Sequence, residues 1–126
     1  MRLRHALLAA IVLTAASPSL AGPTEDFKAL TDAYWAFVLR ESPTFASQLG
    51  IHDYDDKLPD ISLAAEDRRN AATASYLKRL DAIPDAGLSE SDQINKAILK
   101  RSLAESIEAS RFGQRMMLFS NSYGWH

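Results

Sequence analysis

The chain has 126 residues, a formal net charge of −2 and no cysteine. The absence of cysteine excludes a disulfide framework and every thiolate metal site. No basic run or patch interrupts the sequence, so the electrostatic footprint of a nucleic-acid binder is missing.

Met1 to Ala21 has the layout of an export signal. Arg2, Arg4 and His5 make a basic start, Ala6 to Ala16 form an apolar run, and Ser19-Leu20-Ala21 offers small residues for cleavage after Ala21. The eleven-residue run is short of the roughly 20 residues that span a bilayer as a helix, so the only expected membrane contact is through the signal. Removing residues 1–21 leaves 105 residues and takes away two arginines and no acid, which moves the formal charge to −4. The expected organisation is a signal peptide at 1–21 and one helical region at 22–126, periplasmic or extracellular after cleavage. A chain of about 100 residues can make one small domain but buries only around two-thirds of its unfolded surface.

Thr24 is expected to cap a first helix, with Glu25 and Asp26 in the turn where the helix dipole favours negative charge. Phe27, Leu30, Tyr34, Phe37 and Val38 recur at helical spacing on a stripe about 100° wide, which predicts a core face. Trp35 and Leu39 lie off that stripe and predict a second apolar contact, by plain packing rather than an aromatic ligand box, because aromatics usually serve burial.

Ser42 before Pro43 reads as an N-cap followed by proline at the first helical position, where its missing N–H costs nothing. Gly50 then marks a left-handed stop, leaving a helix of about two turns. His52, Asp53, Tyr54, Asp55 and Asp56 crowd polar groups into a turn, read as a solvated loop whose aspartates bond nearby backbone N–H groups. Asp53-x-Asp55-x-Lys57 begins like a calcium loop but has no glycine at its sixth position and Ala64 at its twelfth.

Leu58-Pro59-Asp60 sets an extended approach to Ser62, the N-cap of a second long helix with Glu66 and Asp67 near its start and Lys78 and Arg79 near its end. Ala65, Ala72, Tyr76, Leu77, Leu80 and Ile83 share one face. Pro84 stops that helix, Pro84-Asp85-Ala86-Gly87 turns, and Ser89 with Asp92 makes a variant capping box.

A third long helix starts near Glu90 and runs to Gly113 or beyond. It is apolar on two sides, Ile94, Ile98, Phe112 and Met116 on one line and Leu99, Leu103, Ile107 and Met117 nearly opposite, with Arg101 and Glu105 interrupting the first. Continued to Phe119 it would measure about 45 Å and overhang a domain whose diameter is about 34 Å. Ser120 to His126 is polar and turn-like, either a loop leading into further structure or a tail whose Trp125 folds back on the helices. The fold class is therefore all-α, three long helices plus a short one, as the N-terminal part of a larger helical domain.

There is no His-Glu-x-x-His helix, no Gly-rich phosphate loop, no Gly-x-Ser-x-Gly elbow, and no Ser-x-x-Lys with its partner motifs. The histidines stand at 5, 52 and 126, and a serine with His52 and an aspartate has no spacing that suggests a triad. No residue is assigned a catalytic, cofactor-binding or metal-binding role.

The order of short motifs carries a further signal. It runs from Trp35 through Arg40-Glu41-Ser42-Pro43-Thr44, Leu49-Gly50, His52, Tyr54-Asp55 and Leu58-Pro59-Asp60-x-Ser62. It continues through Tyr76-Leu77-x-x-Leu80, Leu88-Ser89, Asp92-Gln93-x-Asn95 and Arg111-Phe112-Gly113 to Gly124-Trp125-His126. In this order the chain resembles the N-terminal part of the secreted bacterial proteins grouped as domain of unknown function 885. The resemblance implies a mostly helical fold, several times longer in full-length members, which resemble zinc metallopeptidases through a His-Glu element closely followed by Pro-Gly-His. Nothing here matches that element. The resemblance therefore implies a portion that lacks the metal site and is inactive alone, its partner being the C-terminal portion of the same protein, with zinc expected only in a full-length member. The alternative is a stand-alone exported helical module for binding or oligomerisation through its surplus apolar faces.

Overall fold

The computed structural model describes residues 22–112, and these form four helices and no strand. Residues 1–21, read above as an export signal, and Met116, Met117, Phe119 and the polar run from Ser120 lie outside the described residues. The helices are α1 (Pro23–Glu41), α2 (Pro43–Gln48), α3 (Leu63–Asp81) and α4 (Glu90–Ser110). The all-α fold class, three long helices and a short one, is the one the sequence predicts.

Helix α1 begins two residues earlier than expected. Gly22 is the N-cap and Pro23 occupies the first turn, where its fixed φ suits a helix start. Thr24 is thus inside the helix and does not cap it; its hydroxyl donates to the Gly87 carbonyl at 3.1 Å, across 63 residues of sequence. Gly87 has φ +94°, and a Cβ there would lie 3.3 Å from Pro23 Cγ, so both its backbone conformation and the close approach of Pro23 call for glycine.

Helix α2 starts at Ser42-Pro43 as predicted, but the Ser42 side chain accepts no capping bond; its carbonyl takes the N–H groups of Phe45 and Ala46 instead. The end is a full Schellman arrangement. Ile51 N–H donates to Ala46 O at 2.9 Å and Gly50 N–H to Ser47 O at 3.0 Å, with Gly50 at φ +78°. Ser62 caps α3 by accepting from Ala65 N–H at 3.2 Å, and that helix ends at Asp81, ahead of Pro84. Ser89 accepts from Asp92 N–H at 3.1 Å, while its own hydroxyl donates to the Asp92 carboxylate at 2.7 Å. In this variant of the capping box the shorter aspartate meets the cap hydroxyl.

The core lies where α1, α3 and α4 meet. Phe27, Leu30, Leu80, Ile83, Leu88 and Leu103 are buried, and Tyr34, Tyr76, Leu77 and Leu99 pack around them. Tyr76 joins two helices: its hydroxyl donates to Ala33 O at 3.1 Å, and its ring meets Tyr34 edge-on at 5.2 Å between centroids and Phe37 at 5.5 Å. Burial, and then the neighbouring Tyr76, push the Tyr34 phenol above its ordinary value. Leu39 is buried and Trp35 meets Phe45 of α2 edge-on at 6.2 Å, which is the second apolar contact expected of α1.

Two expectations for the last helix change. It ends at Ser110, giving 21 residues and a length of about 32 Å, so the overhang does not arise. One face is buried through Leu103 and Leu99, whereas Ile94, Ile98 and Phe112 are exposed, with Arg101 paired to Glu105 at 2.7 Å between them. Among the described residues that face is wet rather than sandwiched.

Leu80→Ala is expected to lower unfolding free energy by about 3 kcal/mol, since a fully buried leucine loses both transfer energy and packing. Leu58→Ala, at a position 84% exposed, is expected to change it by less than about 0.5 kcal/mol. Urea denaturation of the two variants checks the pair.

Candidate functional site

The turn that the sequence singles out is built around Asp55. Its carboxylate accepts from the Ser47 hydroxyl, presented by the last turn of α2, and lies 2.7 Å from His52 Nδ1. Backbone bonds from Asp55 N–H to His52 O and from Lys57 N–H to Tyr54 O close the turn, and the Lys57 ammonium stands 5.3 Å from the centre of the Tyr54 ring. The turn therefore differs from the loop expected of it, because Asp55 bonds side chains and not backbone N–H groups. Asp60 is the aspartate that follows the expectation: its Oδ1 accepts from Ser62 N–H at 3.0 Å.

The three members of a serine triad thus do meet, in an order that does not activate the serine. A nucleophile needs its hydroxyl on the imidazole, with the carboxylate behind the histidine. Here the carboxylate sits in the middle, and the Ser47 proton is committed to Asp55. Both Asp55 oxygens are engaged by Ser47 and His52, which also leaves the calcium-like pattern without a free bidentate ligand. Among the described residues no three histidine, cysteine, aspartate or glutamate side chains gather in a way that fits a metal ion.

Hydrogen bonds from Ser47, then from His52, hold the Asp55 carboxyl below its ordinary value of 3.8. A carboxyl depressed on folding contributes stability above the ordinary value and loses it as pH falls through the lowered one. Asp60 is lowered in the same sense, first by the Ser62 backbone N–H and then by its hydroxyl.

Two ionic arrangements had no motif to announce them. Lys96 is the one charged side chain buried among the described residues; its ammonium donates to the Ile83 carbonyl and to Asp85 Oδ1 at 2.5 Å. One turn further along α4, Lys100 meets Asp81 at 2.7 Å, which raises the lysine above its ordinary value. These pairs line one wall of a cleft of about 370 Å³ with Ile83, Pro84, Gln93 and Ala97. Two aspartates four residues apart, one ending α3 and one in the turn after it, facing two lysines four residues apart on α4, are a legible signal once an antiparallel hairpin is assumed. The second arrangement gathers Arg40, Arg68 and Arg69 around Glu41 at 3.7–4.0 Å, and Arg69 also holds Glu66 at 2.8 Å and the Asp60 carbonyl. It ties the linker before α3 to the end of α1.

The remaining feature is apolar. Trp35, Phe45, Leu49, Leu58, Ile61 and Leu63 are exposed between the middle of α1 and the start of α3. A profile for bacterial protein of unknown function (DUF885) matches residues 43–126. The chain belongs to this family. The DUF885 match begins at Pro43, the first residue of α2, so the resemblance is narrower at its front than the motif order from Trp35 suggests; α1 precedes the matched segment. Five of the six exposed residues fall inside the DUF885 segment. No curated protein and no solved structure matches the chain. No described helix is long and apolar enough to cross a membrane.

Ser47→Ala is expected to move the Asp55 carboxyl up toward its ordinary value. NMR titration of the Asp55 side-chain carbon checks it, and an unchanged midpoint would show that His52 alone lowers the group.

Proposed function

We propose that the region after the export signal is the N-terminal helical portion of an exported DUF885 protein that resembles zinc metallopeptidase-like hydrolases. In this reading it supports one wall of the substrate cleft and contributes no metal ligand, and the His52 turn borders that wall. The observation that carries it is the run of exposed apolar residues from α2 to the start of α3. Leu58 and Ile61 are 84% and 89% exposed in a segment that is otherwise tightly fixed by Arg69, Ser62 and Asp60. Isolated surface leucines need no explanation, but a rigid segment presenting several large apolar side chains is the surface on which a further layer of protein packs.

Burying a side chain of this size is worth roughly 1.5–3 kcal/mol, so covering Leu58, Ile61 and Leu63 together would contribute on the scale of a small domain's whole stability. The C-terminal portion of the same protein is the proposed cover, and the zinc chemistry of the family belongs to that portion.

Two measurements test the reading. Export in a Gram-negative host is expected to yield a product whose N-terminal residue is Gly22; a product retaining residues 1–21 overturns the signal. The genomic frame beyond the codon for His126 is expected to encode a His-Glu element followed by Pro-Gly-His. A stop codon with no such element in any downstream frame overturns the hydrolase reading and leaves the stand-alone exported binding module.

A further inference from the structure

The outer face of α4 is made of residues other than those used above and has an internal symmetry. Leu103, 1% exposed, marks the centre of the buried side. Nine, five and two residues before it stand Ile94, Ile98 and Arg101; two, five and nine residues after it stand Glu105, Glu108 and Phe112. At about 100° per residue all six lie within about 40° of the direction opposite Leu103. They form one straight stripe, and its three large apolar members are exposed. Phe112 continues the line just past the helix end, in a turn closed by its N–H to Ala109 O.

Turning this stripe end for end about Leu103 brings chemically complementary groups together. Ile94 meets Phe112, Arg101 meets Glu105, and Ile98 meets the methylene stem of Glu108, whose carboxylate is already held by Arg111 at 3.0 Å. This is the condition for an isologous contact, in which residue i meets residue j of the partner and residue j meets residue i. We propose that the outer face of α4 is the interface with a second copy of this chain, the two α4 helices packing antiparallel across a two-fold axis at Leu103.

Charge selects this occupant. Arg101 and Glu105 interrupt the apolar stripe at its middle, where a generic apolar partner would leave the pair to be desolvated unaided. A second copy places its own Glu105 and Arg101 there. The guanidinium has five donors, enough to keep its own Glu105 at 2.7 Å and donate to the partner's as well, so the pair becomes a ring of four alternating charges. A single helix pair lies at the low end of interface sizes, below about 1,200 Å² in total, so association is reversible and concentration-dependent.

Sedimentation equilibrium of the full processed chain, from low micromolar to millimolar concentration, is expected to show the mass rising from one to two chain masses. Reversing either charge alone, R101E or E105R, is expected to weaken the dimer about tenfold or more by surrounding the axis with like charges. R101E/E105R together restore the alternating ring and are expected to return the dissociation constant to near its starting value. Ile94→Asp is expected to abolish the dimer with little change in helical content and unfolding midpoint at low concentration, because Ile94 is exposed and outside the core cluster. A mass that stays monomeric throughout, or association that single reversal leaves unaltered, overturns the proposal. Neither outcome touches the surface from α2 to α3, so this reading and the one above fail separately.

Discussion

The buried ammonium of Lys96 fixes how the last two helices meet. A cation out of water must find oxygens, and Lys96 finds two where α3 has just ended: the Ile83 carbonyl and the Asp85 carboxylate. Lys100 and Asp81 repeat the contact one turn away, so residue numbers rise along α4 as they fall along α3. That register sets Leu103 and Leu99 beside Leu80 and Leu77, and α1 then lays Phe27 and Leu30 into the same layer. The hairpin of α3 and α4 is the frame, and the rest of the fold is attached to it.

Much of this fold was legible because each element carries its own punctuation. Ser42-Pro43, Gly50, Ser62, Pro84 and Ser89 mark ends through local chemistry that needs no tertiary knowledge, and all five fall at or beside boundaries in the structure. Thr24 misled for an equally physical reason. Its hydroxyl has a choice between its own helix and the Gly87 carbonyl, and only the folded hairpin supplies the second option. The two apolar lines of α4 misled in the same manner, since periodicity shows that a face is apolar without showing whether another element reaches it.

The candidate site was legible as composition and illegible as geometry. His52, Asp55 and a nearby serine can be picked from the sequence, but the order of their bonds decides the chemistry, and that order depends on the Schellman end of α2. By closing the helix at Gly50, that end turns the chain so that Asp55 reaches both Ser47 and His52 Nδ1, and the serine meets the carboxylate instead of the imidazole. Lys96 escaped notice because a lysine in a helix is ordinarily solvent-facing. Glu41 and its three arginines are drawn from helix ends that meet only after folding.

The latch formed by Pro23, Thr24 and Gly87 bears on the order in which the molecule assembles. α1 is the first of the four helices to leave the ribosome, yet the groups that anchor its start belong to a turn 63 residues later. Its core partners on α3 and α4 are equally remote, so apart from the contact of Trp35 with Phe45 on α2, α1 is held only by parts of the chain that follow much later. The loop-closure entropy of α1 is paid only once the hairpin exists, whereas α3 and α4 close across a connection of eight residues, 82–89. The short connection makes the α3–α4 hairpin the cheaper closure, and the latch between Thr24 and Gly87 can form only with that turn in place.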